Sequence, residues 1–152
     1  MDGMHCTLIH AVGLSRGAVD TDALVKEAGG YAQMLTPFIL TFDRPAVGSV
    51  GVEISGWPGR VFTKIVEILT HVTGGTGACF TAAPSRHPHM SVAYACAGAE
   101  AIDALALKAA LADIDQPLSA TVAVDRLLVE QWHDGTRIRW NPIAEVPLAG
   151  AA

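Results

Sequence analysis

Apolar residues recur along the chain in two periods, and the switches between them mark out the elements. Val61, Ile65, Ile68, Leu69 and Val72 fall at i, i+4, i+7, i+8 and i+11, one face of a helix. Pro58 stands where a first helical residue is favoured and Gly74-Gly75 supplies a stop, so a helix is predicted over 58–74. Asp20-Thr21-Asp22 offers an N-cap for an earlier helix running to about Leu35, weakened in its middle by Gly29-Gly30. A third, rich in Ala and Leu, is predicted from Ala99 to about Ile114.

Between the helices the period drops to two. Phe38, Leu40 and Phe42 share one face of a strand opened by Pro37. Arg44 to Gly48 predicts a turn, and Val50, Val52 and Ile54 alternate through the next strand, Ser49 to Ser55. Leu118, Ala120, Val122 and Val124 alternate after Pro117, and the chain continues through Leu127-Leu128-Val129. Asp134-Gly135 is a hairpin turn signal with a last strand, Thr136 to Trp140, beyond it. Leu14 to Asp20 and Thr76 to Arg86 are predicted as loops, and 141–152, rich in Pro and Ala, as a loose tail.

Two strands open on the same polar pattern. His5-Cys6-Thr7-Leu8-Ile9 and His89-Met90-Ser91-Val92-Ala93 each give a histidine, a spacer and a hydroxyl residue, then apolar residues. Residues i and i+2 of a strand share a face, so each triplet projects an imidazole and a hydroxyl side by side. The elements after each triplet also match: a helix, a strand introduced by proline (Pro37, Pro117), then a further strand. This predicts one α+β domain over 1–140, with lobe-like repeats at about 4–56 and 88–140 joined by the 58–74 helix. A pseudo-twofold between the repeats would bring the triplets together at a central cleft.

Composition narrows the function classes. A chain of 152 residues, 51% hydrophobic with mean hydropathy +0.36 and only 16% charged, has ample material for a globular core. No apolar run approaches the roughly 18 residues of a membrane span. Net charge −5 and pI near 5.6 argue against a long nucleic-acid footprint, leaving a small anionic ligand held locally. Cys6, Cys79 and Cys96 form no CxxC pair and read as reduced thiols. With no basic segment or signal-peptide layout in Met1 to Met4, they predict a cytoplasmic protein.

Other candidates are weighed against the triplets. His87-x-His89 has the spacing of two metal ligands on one strand face, the basis of a metal-dependent hydrolase reading. Pro88 between them, and the lack of a nearby acidic or third histidine ligand in sequence, speak against it, so no metal and no cofactor are expected. His10 has the opposite strand parity to His5 and is expected to face away from the cleft. Cys6 and Tyr94 read as packing residues on the same ground. His71 reads as structural, His133 as a solvated turn residue, and Arg137 and Arg139 as exposed strand charges.

The paired triplets, with Pro37-Phe38-Ile39-Leu40 and Val124 to Glu130 in support, resemble the 2H phosphoesterase superfamily, and within it the 2′–5′ RNA ligase-like proteins. The resemblance spans roughly Met4 to Trp140. It implies a bilobal, pseudo-symmetric α+β fold, two antiparallel sheets flanking a central cleft with helices outside. It implies an enzyme that opens 2′,3′-cyclic phosphates, or acts on 2′–5′ linkages, without a metal, on a small nucleotide or RNA end. His5 and His89 would be the catalytic acid and base, because histidine titrates near neutrality. Thr7 and Ser91 would bind the phosphate, donating to oxygens where charge accumulates. The other reading of the resemblance is a degenerate member that binds a nucleotide or RNA end without turnover. Members carry a strand and helix before the first motif, whereas four residues precede His5 here. An uncovered strand edge and self-association through it are therefore expected.

Overall fold

The computed structural model describes residues 5–12, 20–48, 51–75, 81–114, 118–133 and 139–150. Its elements follow the order β1 (Ile9–Val12), α1 (Thr21–Ala32), β2 (Phe38–Val47), β3 (Gly51–Trp57), α2 (Gly59–Gly75), β4 (Thr81–Pro84), β5 (His89–Tyr94), α3 (Ala104–Ala112), β6 (Ala120–Val124), β7 (Arg126–His133) and β8 (Arg139–Pro147). The fold is α+β, and among the described residues every strand pairing is antiparallel.

A four-stranded sheet in the order β5-β3-β2-β6 forms the centre, with the pairs β1-β4 and β7-β8 beside it. The alternation read from sequence sets its buried face: Leu40, Phe42, Ile54 and Met90 pack together, with Cys6, Phe38, Leu118, Val122 and Val124 around them. A second core joins α1 and α2 to the β7-β8 pair through Ala32, Leu35, Ile65, Leu127, Val146 and Leu148. Ile65 and Leu148 are each 1% exposed, and burying an aliphatic side chain of that size contributes about 1.5–3 kcal/mol.

Aspartates cap two helices, α1 as its sequence predicts and α3 at a start later than the predicted Ala99. The Asp20 carboxylate accepts from the Ala23 amide at 3.0 Å. Asp103 does the same for Leu105 and Ala106 at the start of α3. Gly29 and Gly30 do not interrupt α1, because Ala28 and Ala32 anchor it through burial.

Both repeats contribute strands to the central sheet, where β5 and β6 flank β3 and β2. Three expectations are corrected. Arg44 to Val47 continues β2 rather than turning. Pro45 is tolerated there because β6 pairs only with Phe38 to Phe42, leaving no ladder bond on that side for proline to break. The loop over 76–86 contains β4, paired with β1 from Ile9↔Pro84 to Val12↔Thr81. The loose tail is instead strand β8 and a docked end. Leu148 donates its amide to the Asp125 carbonyl at 2.8 Å, and Ala149 donates to Leu35 at 2.9 Å. The Asp134-Gly135 turn lies outside the described residues, although the strands flanking it pair as its sequence predicts. Arg137, the Arg139 side chain and Cys79 are likewise outside them.

Candidate active site

Cys6 pairs with Met90 in an antiparallel bridge. This contact between the middle residues of the two triplets fixes everything around it. Extending its register places His5 beside Ser91 and Thr7 beside His89. On the far side of β5, Glu53 pairs with Ser91, Ile54 with Met90 and Ser55 with His89. The three strands therefore carry three rows. Cys6, Met90 and Ile54 form the middle row and pack in the core. The flanking rows, His5–Ser91–Glu53 and Thr7–His89–Ser55, project from the opposite face by strand alternation. All six of these side chains are half-buried. By alternation about the bridge, the four triplet residues fall on one face as two directly opposed pairs, His5 with Ser91 and Thr7 with His89.

His89 is oriented from behind. Its Nδ1 lies 3.0 Å from the His87 carbonyl oxygen. A carbonyl only accepts, so Nδ1 carries the proton, and Nε2 is the nitrogen left for a ligand. Pro88, buried between the two histidines, fixes this turn, and its carbonyl accepts from the Gly56 amide at 2.8 Å. His87 is exposed, and its Nε2 lies 3.2 Å from a Glu53 carboxylate oxygen. The two imidazoles sit 5.2 Å apart, tilted by 47°.

Cys6, facing the core, has its thiol pushed up to about 11 by burial, against an opposing interaction with the His89 backbone. It is the packing residue its parity predicts. Tyr94, also read as a packing residue, is instead 52% exposed at the end of β5.

His10 is within reach of the triplet histidines' charges. Its imidazole is held below the ordinary histidine range, first by partial burial and then by the charges of His89 and His5. Although the residue is exposed by surface area, it lies within electrostatic reach of both triplet histidines. The chain bends at Leu8 and β1 starts only at Ile9, so alternation does not run from His5 to His10.

Glu53 was also missed. The absence of a nearby acidic residue in sequence counted against ligation by His87 and His89, yet β3 brings Glu53 to them. Glu53, His87 and His89 each offer a ligand atom within 4.8 Å of the others. Local sequence carries no signal for this, since it depends on which strand pairs with β5.

This arrangement sits in a fold already seen in solved structures. The crystal structure of E. coli LigT complexed with 3′-AMP matches with a TM-score of 0.66 at 22% identity, covering 97% of this chain and 78% of that one. The chain has the LigT fold. A second crystal structure, of a phosphoesterase, matches with a TM-score of 0.68, again at 22% identity and covering 97% of this chain and 78% of that one. No family model and no curated protein matches the sequence significantly. The LigT-like fold is the one the paired triplets implied. Among the described residues no helix is long and apolar enough to cross a membrane.

Proposed function

We propose that the chain is a 2H-type phosphoesterase that opens 2′,3′-cyclic phosphates, or acts on 2′–5′ linkages, of a small nucleotide or RNA end. The observation that carries this reading is the antiparallel Cys6–Met90 bridge, whose register supports two imidazoles and two hydroxyls facing one way about a local twofold. The LigT fold supports it, and the 3′-AMP bound to LigT is a ligand of the class proposed.

The chemistry needs what these four residues offer. Water attacks phosphorus, and its proton passes to one neutral imidazole as the new P–O bond forms. The bond to one ribose oxygen breaks, and that oxygen takes the proton of the other, charged imidazole. Thr7 and Ser91 donate to the non-bridging oxygens as charge builds on them. In the antiparallel register each histidine neighbours the other triplet's hydroxyl, so a phosphate between the strands meets a donor and a proton carrier from both sides. The Nδ1–H bond to the His87 carbonyl holds the His89 ring with Nε2 forward, for either role.

Chromatography of a 2′,3′-cyclic nucleotide after incubation with the purified protein and a chelator is the test. Ring opening to a monoester is expected. Binding of the nucleotide without turnover would leave a degenerate binding module instead.

A further inference from the structure

The His87–Glu53 contact is not used by the proposed acid–base chemistry. Its geometry has a second meaning. Zinc held at about 2.0–2.1 Å by nitrogen and oxygen ligands in a tetrahedron separates those ligands by about 3.3 Å. His87 Nε2 and Glu53 Oε1 are 3.2 Å apart, already the edge of such a tetrahedron. A nitrogen of His89 lies within 4.8 Å of both, close enough for a side-chain rotation to complete a third vertex. Two imidazoles and one carboxylate suit a borderline cation such as zinc, whereas magnesium and calcium prefer oxygen ligands throughout. The cluster is accessible, with the His87 side chain 51% and the Glu53 side chain 28% exposed, so an ion can enter with water as fourth ligand.

We propose that Glu53, His87 and His89 form a binding site for a zinc-class divalent cation, and that its occupation silences the enzyme by withdrawing His89 from proton transfer. The binding half stands on the cluster alone; the silencing half rests on the phosphoesterase reading. Whichever nitrogen of His89 binds, catalysis suffers. Ligation through Nε2 occupies the atom that would carry the proton. Ligation through Nδ1 breaks the bond to the His87 carbonyl that orients the ring. Glu53 stands in register with Ser91, so an ion there also borders the strand that presents the phosphate donor.

The test measures zinc uptake directly, by calorimetry and by competition with a chromophoric chelator, in wild type, Glu53→Gln and His87→Ala. Wild type is expected to take up zinc, and each variant to lose affinity by tenfold or more while circular dichroism stays unchanged. Absence of uptake by wild type, or equal uptake by all three, would overturn the site. Turnover of the 2′,3′-cyclic nucleotide is then followed with and without zinc. Wild type should lose activity roughly 10²-fold, the scale for losing a general acid or base, and Glu53→Gln should keep most of its own. Faster turnover with zinc would overturn silencing and favour a metal-dependent hydrolase. A protein that binds zinc through these residues but shows no turnover with or without it would sink the phosphoesterase reading, and silencing with it, leaving the binding site standing.

Discussion

The bridge that joins the two triplets runs antiparallel through Cys6 and Met90, a register that sets His5 opposite Ser91 rather than opposite His89. An antiparallel pair has a local twofold axis, so equivalent residues of the two triplets end up crosswise. The duplication visible in sequence becomes a symmetric set of two imidazoles and two hydroxyls about that axis.

That register is testable without any assay of activity. Opposed residues of antiparallel strands have Cα atoms about 4.5–5.5 Å apart, inside the range a disulfide spans. His5→Cys combined with Ser91→Cys, in a background with Cys79→Ser and Cys96→Ser, is expected to form the 5–91 link on mild oxidation. Peptide mapping by mass spectrometry reads it out. A double variant that stays reduced, while remaining folded, would contradict the crosswise arrangement.

Much of this fold is legible in the sequence because local pattern and tertiary role coincide. The Asp20 cap forms as written, and the α2 face and the alternation of Phe38, Leu40 and Phe42 turn apolar side chains to the cores as written. What is not legible depends on partners far along the chain. Strand β4, Thr81–Pro84, is four residues of small side chains whose pairing with β1 no period announces. Val146 and Leu148 lie in a Pro- and Ala-rich stretch that reads as a tail until the end of α1 and β7 are in place to bury them. The triplets were readable as motifs, but Glu53 reaches them only through the β3–β5 register, and His10 only through a bend at Leu8.

Cys6 gives a second expectation. Burial pushes its thiol up to about 11, so very little is thiolate near neutral pH, and the thiolate is the nucleophile. Alkylation with iodoacetamide at about pH 8 should modify exposed Cys96 well before Cys6. Denaturant should abolish the difference. Equal labelling of the two in the folded protein would mean the Cys6 side chain is not on the core face.

His10 gives a third, with a definite sign. Its folded pKa is lowered from 6.5, so below about pH 6.5 the unfolded chain binds more protons at this position than the folded one. Its contribution is favourable above that pH and is lost as pH falls toward and through the folded value. Denaturant midpoints for wild type and His10→Gln at about pH 8 and about pH 5 check this. The variant should lose less stability on acidification. An identical loss in both proteins would remove His10 from the neighbourhood of the triplet histidines.

The last expectation concerns how the four triplet residues divide the work. If His5 and His89 are proton carriers, His5→Ala and His89→Ala should each lower turnover of a 2′,3′-cyclic nucleotide by roughly 10² or more. The wild-type rate should follow a bell in pH, since one imidazole must be neutral while the other is charged. Each single variant should lose the limb belonging to the residue removed, which also assigns acid and base. Thr7→Val and Ser91→Ala should reduce turnover while leaving the bell in place, because a hydroxyl donor stabilises charge without titrating in this range. The double histidine variant should fall little below the worse single one, because residues acting as a unit are not additive. Losses that multiply, with the bell unchanged in every variant, would mean the histidines bind the phosphate rather than move protons. In that case the same four side chains would make an anion-binding face, and the source of any turnover would lie elsewhere in the molecule.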